Sequence, residues 1–185
     1  SQQAGAAKDL IRFLTDKEFD MVLGSVHQVD HLFLKPEELF AGRREDEVVS
    51  LYFLELLRAV ESGLFDVMAH LDLIKRHGTP CFGPFMFGKY AAYFEEILRT
   101  MVEGGVGLEI NTSGLRHPPK EPYPGLEAVR LYRNLGGELI TIGSDAHRAE
   151  HVGQGIEAGL ELARAAGFKA ITLFRGRRPI STRIV

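Results

Sequence analysis

Apolar and polar positions follow two rhythms along this chain. Short, nearly continuous apolar runs occur at Phe19–Val26, Phe65–Ala69, Val106–Ile110, Leu139–Gly143 and Ala170–Phe174, the pattern of strands buried on both faces. Between them the apolar period lengthens to that of a helix. In Lys89–Gly104 one stripe holds Tyr90, Tyr93, Phe94, Ile97, Leu98, Met101 and Val102 and ends at Gly104-Gly105, a pair suited to a left-handed stop. Val152–Ala166 repeats this with Val152, Ile156, Leu160 and Ala163 before Gly167, and Leu126–Leu135 is a shorter helix before Gly136-Gly137. Glu47–Ser62 is apolar nearly all round, through Val48, Leu51, Leu54, Leu57 and Val60, and is expected to pack on two sides. Thr79–Gly88, with Pro80, Gly83, Pro84 and Gly88, and Arg116–Gly125, with four prolines, read as long loops.

This alternation predicts an α/β fold, a parallel sheet covered by helices. Five strands cannot close an eight-stranded barrel, which needs roughly 200–250 residues; either the sheet is open or part of a barrel lies outside this chain. The length of 185 residues and the absence of a linker or low-complexity tract fit one domain. No apolar run reaches the ~18 residues of a membrane span, and the first residues lack the pattern of a signal peptide. With 22 basic and 25 acidic residues the formal charge is −3, which speaks against a general nucleic-acid binder. The single cysteine, Cys81, excludes an internal disulfide and a cysteine-based zinc site, so a cytoplasmic location is expected, with Cys81 acting as a small apolar side chain.

The strand ends carry the chemistry. The first run leads to His27, the second to His70-Leu71-Asp72, the third to Glu109-Ile110-Asn111 and the fourth to Ser144-Asp145-Ala146-His147. In α/β proteins ligands bind at that C-terminal edge. Asp145 and His147, two apart on an extended backbone, point the same way and are ligand types for zinc, manganese or iron; alternatively Asp145 caps the next helix and His147 lies on the surface. His27 and His70 are each a core or rim histidine when taken alone, and a ligand when taken with the other two. Asp72 either orients a ligand or caps the following segment. Glu109 shares a strand face with Asn111 and needs a partner if buried. Arg116, on a loop at the ligand edge, suits bidentate phosphate binding or is simply solvated. Lys75-Arg76-His77 reads as a solvated turn. His31, His117 and His151 read as surface residues, as does the basic tail of Arg175, Arg177, Arg178 and Arg183, unless that tail approaches an anionic ligand. No P-loop, no dinucleotide-binding glycine motif and no serine-hydrolase elbow is present.

Gly24-Ser25-Val26-His27, Ala69-His70-Leu71-Asp72-Leu73-Ile74-Lys75, Leu108-Glu109-Ile110-Asn111-Thr112-Ser113-Gly114-Leu115-Arg116 and Gly143-Ser144-Asp145-Ala146-His147 occur in this order. With Gly167-Phe168 and Phe174-Arg175-Gly176-Arg177, the series resembles the histidinol-phosphatases of the PHP (polymerase and histidinol phosphatase) superfamily. The resemblance implies a distorted (β/α)7 TIM-like barrel, present here as an incomplete barrel of about five β/α units. It implies up to three divalent metal ions (zinc, manganese or iron) and hydrolysis of L-histidinol phosphate, a small phosphorylated metabolite of histidine biosynthesis, with neither nucleic acid nor membrane as partner. By motif match, His27, His70, Asp145 and His147 would be metal ligands. Asp145, His147 and Arg116 would act in catalysis, with Arg116 on the phosphate, and Glu109, Asn111 and Tyr123 would contact the substrate.

The family's opening His-x-His strand, and the histidine, Asp-His and glutamate ligands that follow it, have no counterpart ahead of Gly24, and Ala69 replaces a glycine. Residues 1–185 thus read as the C-terminal two-thirds of one PHP domain, with 1–18 a leading segment of little likeness. Two other readings stand beside the phosphatase: a non-catalytic or split PHP-like module completed by another chain, and a PHP phosphoesterase or nuclease with a different substrate.

Overall fold

The computed structural model describes residues 2–184. In chain order the elements are α1 (Gln2–Asp16), β1 (Leu23–Gly24), β2 (Gln28–Val29), β3 (Leu32–Phe33), α2 (Glu45–Glu61), β4 (Val67–Met68), α3 (Ile74–Phe82), α4 (Phe87–Glu103), β5 (Gly107–Asn111), α5 (Leu126–Asn134), β6 (Ile140–Gly143), α6 (Ile156–Ala165), β7 (Ala170–Arg175) and β8 (Arg178–Arg183). A 3-10 turn, Thr112–Arg116, follows β5.

Four of the predicted runs form a parallel sheet in the order β1-β4-β5-β6. β1 is an edge strand, paired on one side only, and just two residues of its long apolar run enter the ladder. The fifth run is a strand but does not join that sheet: β7 pairs antiparallel with β8. The two are joined by Gly176 and Arg177, both at positive φ, the requirement of a two-residue primed turn. With no helix between them, antiparallel pairing is the only local solution.

The core lies between the sheet and its helices. Val48, Val49, Tyr52, Phe53, Leu56 and Val60 form the buried stripe of α2, and Phe53 meets Phe94 of α4 edge-to-face at 4.9 Å. Leu54 is exposed, so α2 buries one broad face instead of packing on two sides. From α5, Tyr132 is buried and its hydroxyl donates to the Val106 carbonyl at 3.0 Å.

Four further expectations change. The leading segment, without a predicted element, is the helix α1. Lys75-Arg76-His77 and the start of the predicted loop at Thr79 belong to α3, which runs through Pro80 and ends two residues later. The helix expected from Val152 begins at Ile156; Gly153 and Gly155 adopt positive φ and leave Val152 75% exposed. Cys81, read as a small apolar side chain, is exposed at the end of α3.

The β7–β8 hairpin closes the N-terminal edge of the sheet. Ile140 N–H donates to Thr172 Oγ1 at one end, and at the other Arg177 reaches Asp66 and the Leu64 carbonyl. Those partners precede β4, so the basic tail sits at the edge opposite the strand C-termini and does not approach a ligand there. No helix among the described residues is long and apolar enough to cross a membrane.

Candidate metal and phosphate site

At the C-terminal edge, β4 leads into Ala69 and His70. His70 is buried at a φ of 32°, a conformation uncommon outside glycine. It is held there by its own N–H, which donates to Glu109 Oε2 at 3.0 Å. The same oxygen accepts from Asn111 Nδ2, also at 3.0 Å. Burial pushes the Glu109 carboxyl up, and these two donors oppose it. The neighbouring strand leaves room: a Cβ at Gly143 would overlap Glu109 Oε1. Glu109 therefore ties the end of β4 to β5 and packs against the end of β6.

Asn111 caps the 3-10 turn, its Oδ1 accepting from the Ser113 N–H at 3.0 Å. Ser113 Oγ lies 2.6 Å from that oxygen and 3.2 Å from Asp145 Oδ2, its one hydrogen placed between two acceptors. Asp145 also has a positive φ, 47°, so an extended backbone is not what brings it to His147. The chain bends instead, leaving His147 Nδ1 3.1 Å from the Asp145 carbonyl and 3.6 Å from its carboxylate.

His27 is exposed and His70 buried, with ring centroids 5.0 Å apart in an edge arrangement. Burial, and then the charge of His27, hold the His70 pKa down at about 4. His70 is therefore neutral near pH 7, the form that binds metal. Its Nδ1 is buried without a hydrogen-bond partner. Arg116 Nη2 donates to the carbonyls of Ser144 (2.7 Å) and Asp145 (3.2 Å), and its Nη1 is likewise buried and unpartnered.

His27, Asp145, His147 and Arg116 face two adjoining cavities, whereas the buried His70 lines neither. One, of about 350 Å³, is lined by Arg76, Arg116, Arg148, His117, His147 and His151 together with Ser113 and Asp145. The other, of about 460 Å³, is lined by His27, Phe33, Lys35 and His77, and shares Arg76, Asp145 and His147 with the first. The cationic lining of the first suits an anion.

The structure thus brings His27, His70, Asp145, His147 and Arg116 to one place. It does so as pairs: among the described residues, no group of three His, Cys, Asp or Glu side chains could hold a metal ion. The donor set fits a metal in part, through the free nitrogen of a neutral His70 beside His27 and through Asp145 beside His147.

Glu109, Asn111 and Tyr123, expected to contact substrate, line neither cavity. They are buried, with Asn111 and Tyr123 joined by paired backbone hydrogen bonds of 2.8 and 2.9 Å. Asp72 neither orients His70 nor stands free as a cap; its carboxylate pairs with Lys75 at 2.8 Å. Lys75, expected to be solvated, is 2% exposed. The sequence reading missed Arg76, Ser113, His117, Arg148 and His151. Ser113 had a signal, the Asn-x-Ser of an Asx turn. Arg76 and the two histidines had none, since only the fold decides which residues around a helix or loop face a cavity.

A parallel α/β sheet with imidazoles, a carboxylate and a guanidinium at its C-terminal edge defines a class of ligand-binding α/β domain, and the PHP domain family matches residues 5–113: the chain belongs to that family. Its relatives carry a narrower name. A probable histidinol-phosphatase of Clostridium acetobutylicum is 31% identical over 167 residues, 89% of this chain and 65% of that protein. One of Thermotoga maritima is 33% identical over 155 residues, 84% of this chain and 60% of that protein. The crystal structure of histidinol phosphate phosphatase from Lactococcus lactis, complexed with Zn, L-histidinol and phosphate, superposes with a TM-score of 0.85 at 26% identity, covering 94% of this chain and 66% of that one. The chain therefore spans slightly less than two thirds of the length of the curated relatives it matches.

Proposed function

We propose that this chain carries the phosphate-binding part and a share of the metal ligands of a metal-dependent phosphomonoester hydrolase acting on L-histidinol phosphate. In this reading residues 1–185 correspond to the C-terminal two-thirds of one PHP domain, in a cytoplasmic enzyme. The observation that carries it is the convergence of His27, His70, Asp145 and His147 with an Arg116 whose Nη1 is buried without a partner.

Arg116 lines the first cavity with its Nη2 anchored on the Ser144 and Asp145 carbonyls, so the positive charge facing a phosphate is fixed before substrate arrives. Arg76 lines both cavities and adds charge where they meet. The second cavity, with Phe33 and His77, then takes the alcohol portion. His27, His70, Asp145 and His147 would hold divalent ions of the zinc, manganese or iron type. When bound, such an ion supplies a water acidified to a pKa of ~7 and a clamp on phosphoryl oxygens.

Phosphate release from L-histidinol phosphate with added zinc or manganese tests this. Arg116→Ala should lower turnover by about 10²–10³-fold. Equal turnover by the variant and the parent chain would remove Arg116 from the site. The split-module reading is supported by the arrangement of donors in pairs and predicts neither tight zinc binding nor turnover by this chain alone. Robust turnover by the isolated chain would end it.

A further inference from the structure

Lys75 sits in the first turn of α3, beside Arg76, and its ammonium is enclosed. Its Nζ lies 2.8 Å from Asp72 Oδ2, 2.8 Å from Glu121 Oε1 and 3.3 Å from the Pro122 carbonyl. Three acceptors match the three hydrogens of an ammonium. The Tyr123 ring covers it, with the centroid 5.4 Å away. Asp72 is local, whereas Glu121 and Pro122 are 46 and 47 residues further along. The ammonium therefore joins the β4–α3 corner to the proline-rich segment 117–125.

That segment rests on the turn that bears Ser113 and Arg116. A Cβ at Gly114 would overlap the Glu121 carbonyl oxygen, so the two backbones touch with nothing between them. The paired hydrogen bonds between Asn111 and Tyr123 fix the same contact from the other side. Neither Lys75 nor Glu121 lines the cavity that holds Arg116.

We propose that Lys75 and Glu121 are positioning residues for Arg116: their ion pair presses segment 117–125 onto the Thr112–Arg116 turn and so sets where the guanidinium meets an anion. The proposal rests on reading Arg116 as the phosphate-binding group.

Glu121→Gln in the full chain tests it, because the Glu121 side chain is 51% exposed and its loss leaves the buried Asp72–Lys75 pair in place. The sign of the effect discriminates. Removing a negative charge near an anion site strengthens phosphate binding if Glu121 acts only through space. If it positions Arg116, affinity for inorganic phosphate falls, by about 3- to 30-fold, with little change in unfolding midpoint. Glu121→Asp keeps the charge and shortens the reach, so it is expected to fall between. In an Arg116→Lys background, Glu121→Gln should add nothing. Hydrogen exchange at the Asn111 and Tyr123 amides should quicken in Glu121→Gln. Unchanged or tighter phosphate binding with unchanged exchange would overturn the proposal. A parent chain that binds no phosphate would count against the phosphatase reading alone; the Arg116 Nε–H NMR signal then decides, shifting in Glu121→Gln if the tie positions it and staying in place if it does not.

Discussion

At the N-terminal edge of the sheet, the Asp66 carboxylate accepts from Arg177 Nε at 3.0 and 3.1 Å and from the Val22 N–H at 2.8 Å, while Arg177 Nη2 also reaches the Leu64 carbonyl. At the C-terminal edge, His70 Nδ1 and Arg116 Nη1 are buried with no partner, and His70 and Asp145 hold positive φ. A buried unpaired polar group costs ~1–3 kcal/mol, and a non-glycine residue in a sparse backbone region costs about as much. One edge is thus satisfied and the other left open. Size does not tell them apart: a cavity of about 610 Å³, lined by Lys17–Asp20, Gly176 and Arg177, lies at the satisfied edge. Strain does not either, since Arg177 also holds a positive φ; unmet hydrogen-bonding capacity marks the site where volume would mislead.

The contrast can be broken from either side. The largest loss of stability is expected from Lys75→Met, which strands the buried Asp72 carboxylate beside the site; breaking a buried pair in this way costs about 3–5 kcal/mol, read as a lower urea midpoint. A wild-type midpoint would show that the pair is not buried as described. Gly143→Ala comes next. Its Cβ would meet the Glu109 carboxylate, so overpacking of ~1–3 kcal/mol should come with weaker zinc binding as the His70 backbone is released. Stability lost without any change in zinc titration would separate Glu109 from the site.

Smaller effects belong to the other edge and to the exposed His147. Arg177→Ala removes a part-exposed ion pair, should cost about 1 kcal/mol, and should leave zinc and phosphate binding at parental values. Altered binding would mean that the two edges are coupled. His147→Ala should leave stability within ~0.5 kcal/mol, since that side chain is 84% exposed, yet weaken zinc binding at least about tenfold. Calorimetric titration showing equal zinc affinity would take His147 out of the ligand set.

Much of this edge is legible in the chain itself. His27, His70, Asp145 and His147 follow apolar runs, and parallel strands bring their ends together wherever the connecting helices return the chain to the same side. Glu109 and Asn111 line neither cavity because a residue at a strand end faces either the cavity or the layer beneath it, and alternation alone does not say which. Lys75 was misjudged because a lysine in a basic run looks solvated until its partners appear; Glu121 lies 46 residues away, beyond the reach of any local pattern. The hairpin β7–β8 was half legible: β7 was readable, but β8, exposed along its whole length, has no apolar signal to read.

Local order in the chain, the spacing of apolar residues and the ligand types at the end of each run, was enough to determine the strands, the helices between them and the edge at which chemistry gathers, because those depend on backbone periodicity. Which side chains were buried as ties, which were left with an unpaired nitrogen, and which distant loop a buried ammonium holds were decided only by tertiary structure, because desolvation and hydrogen-bond satisfaction depend on neighbours that the sequence places far apart.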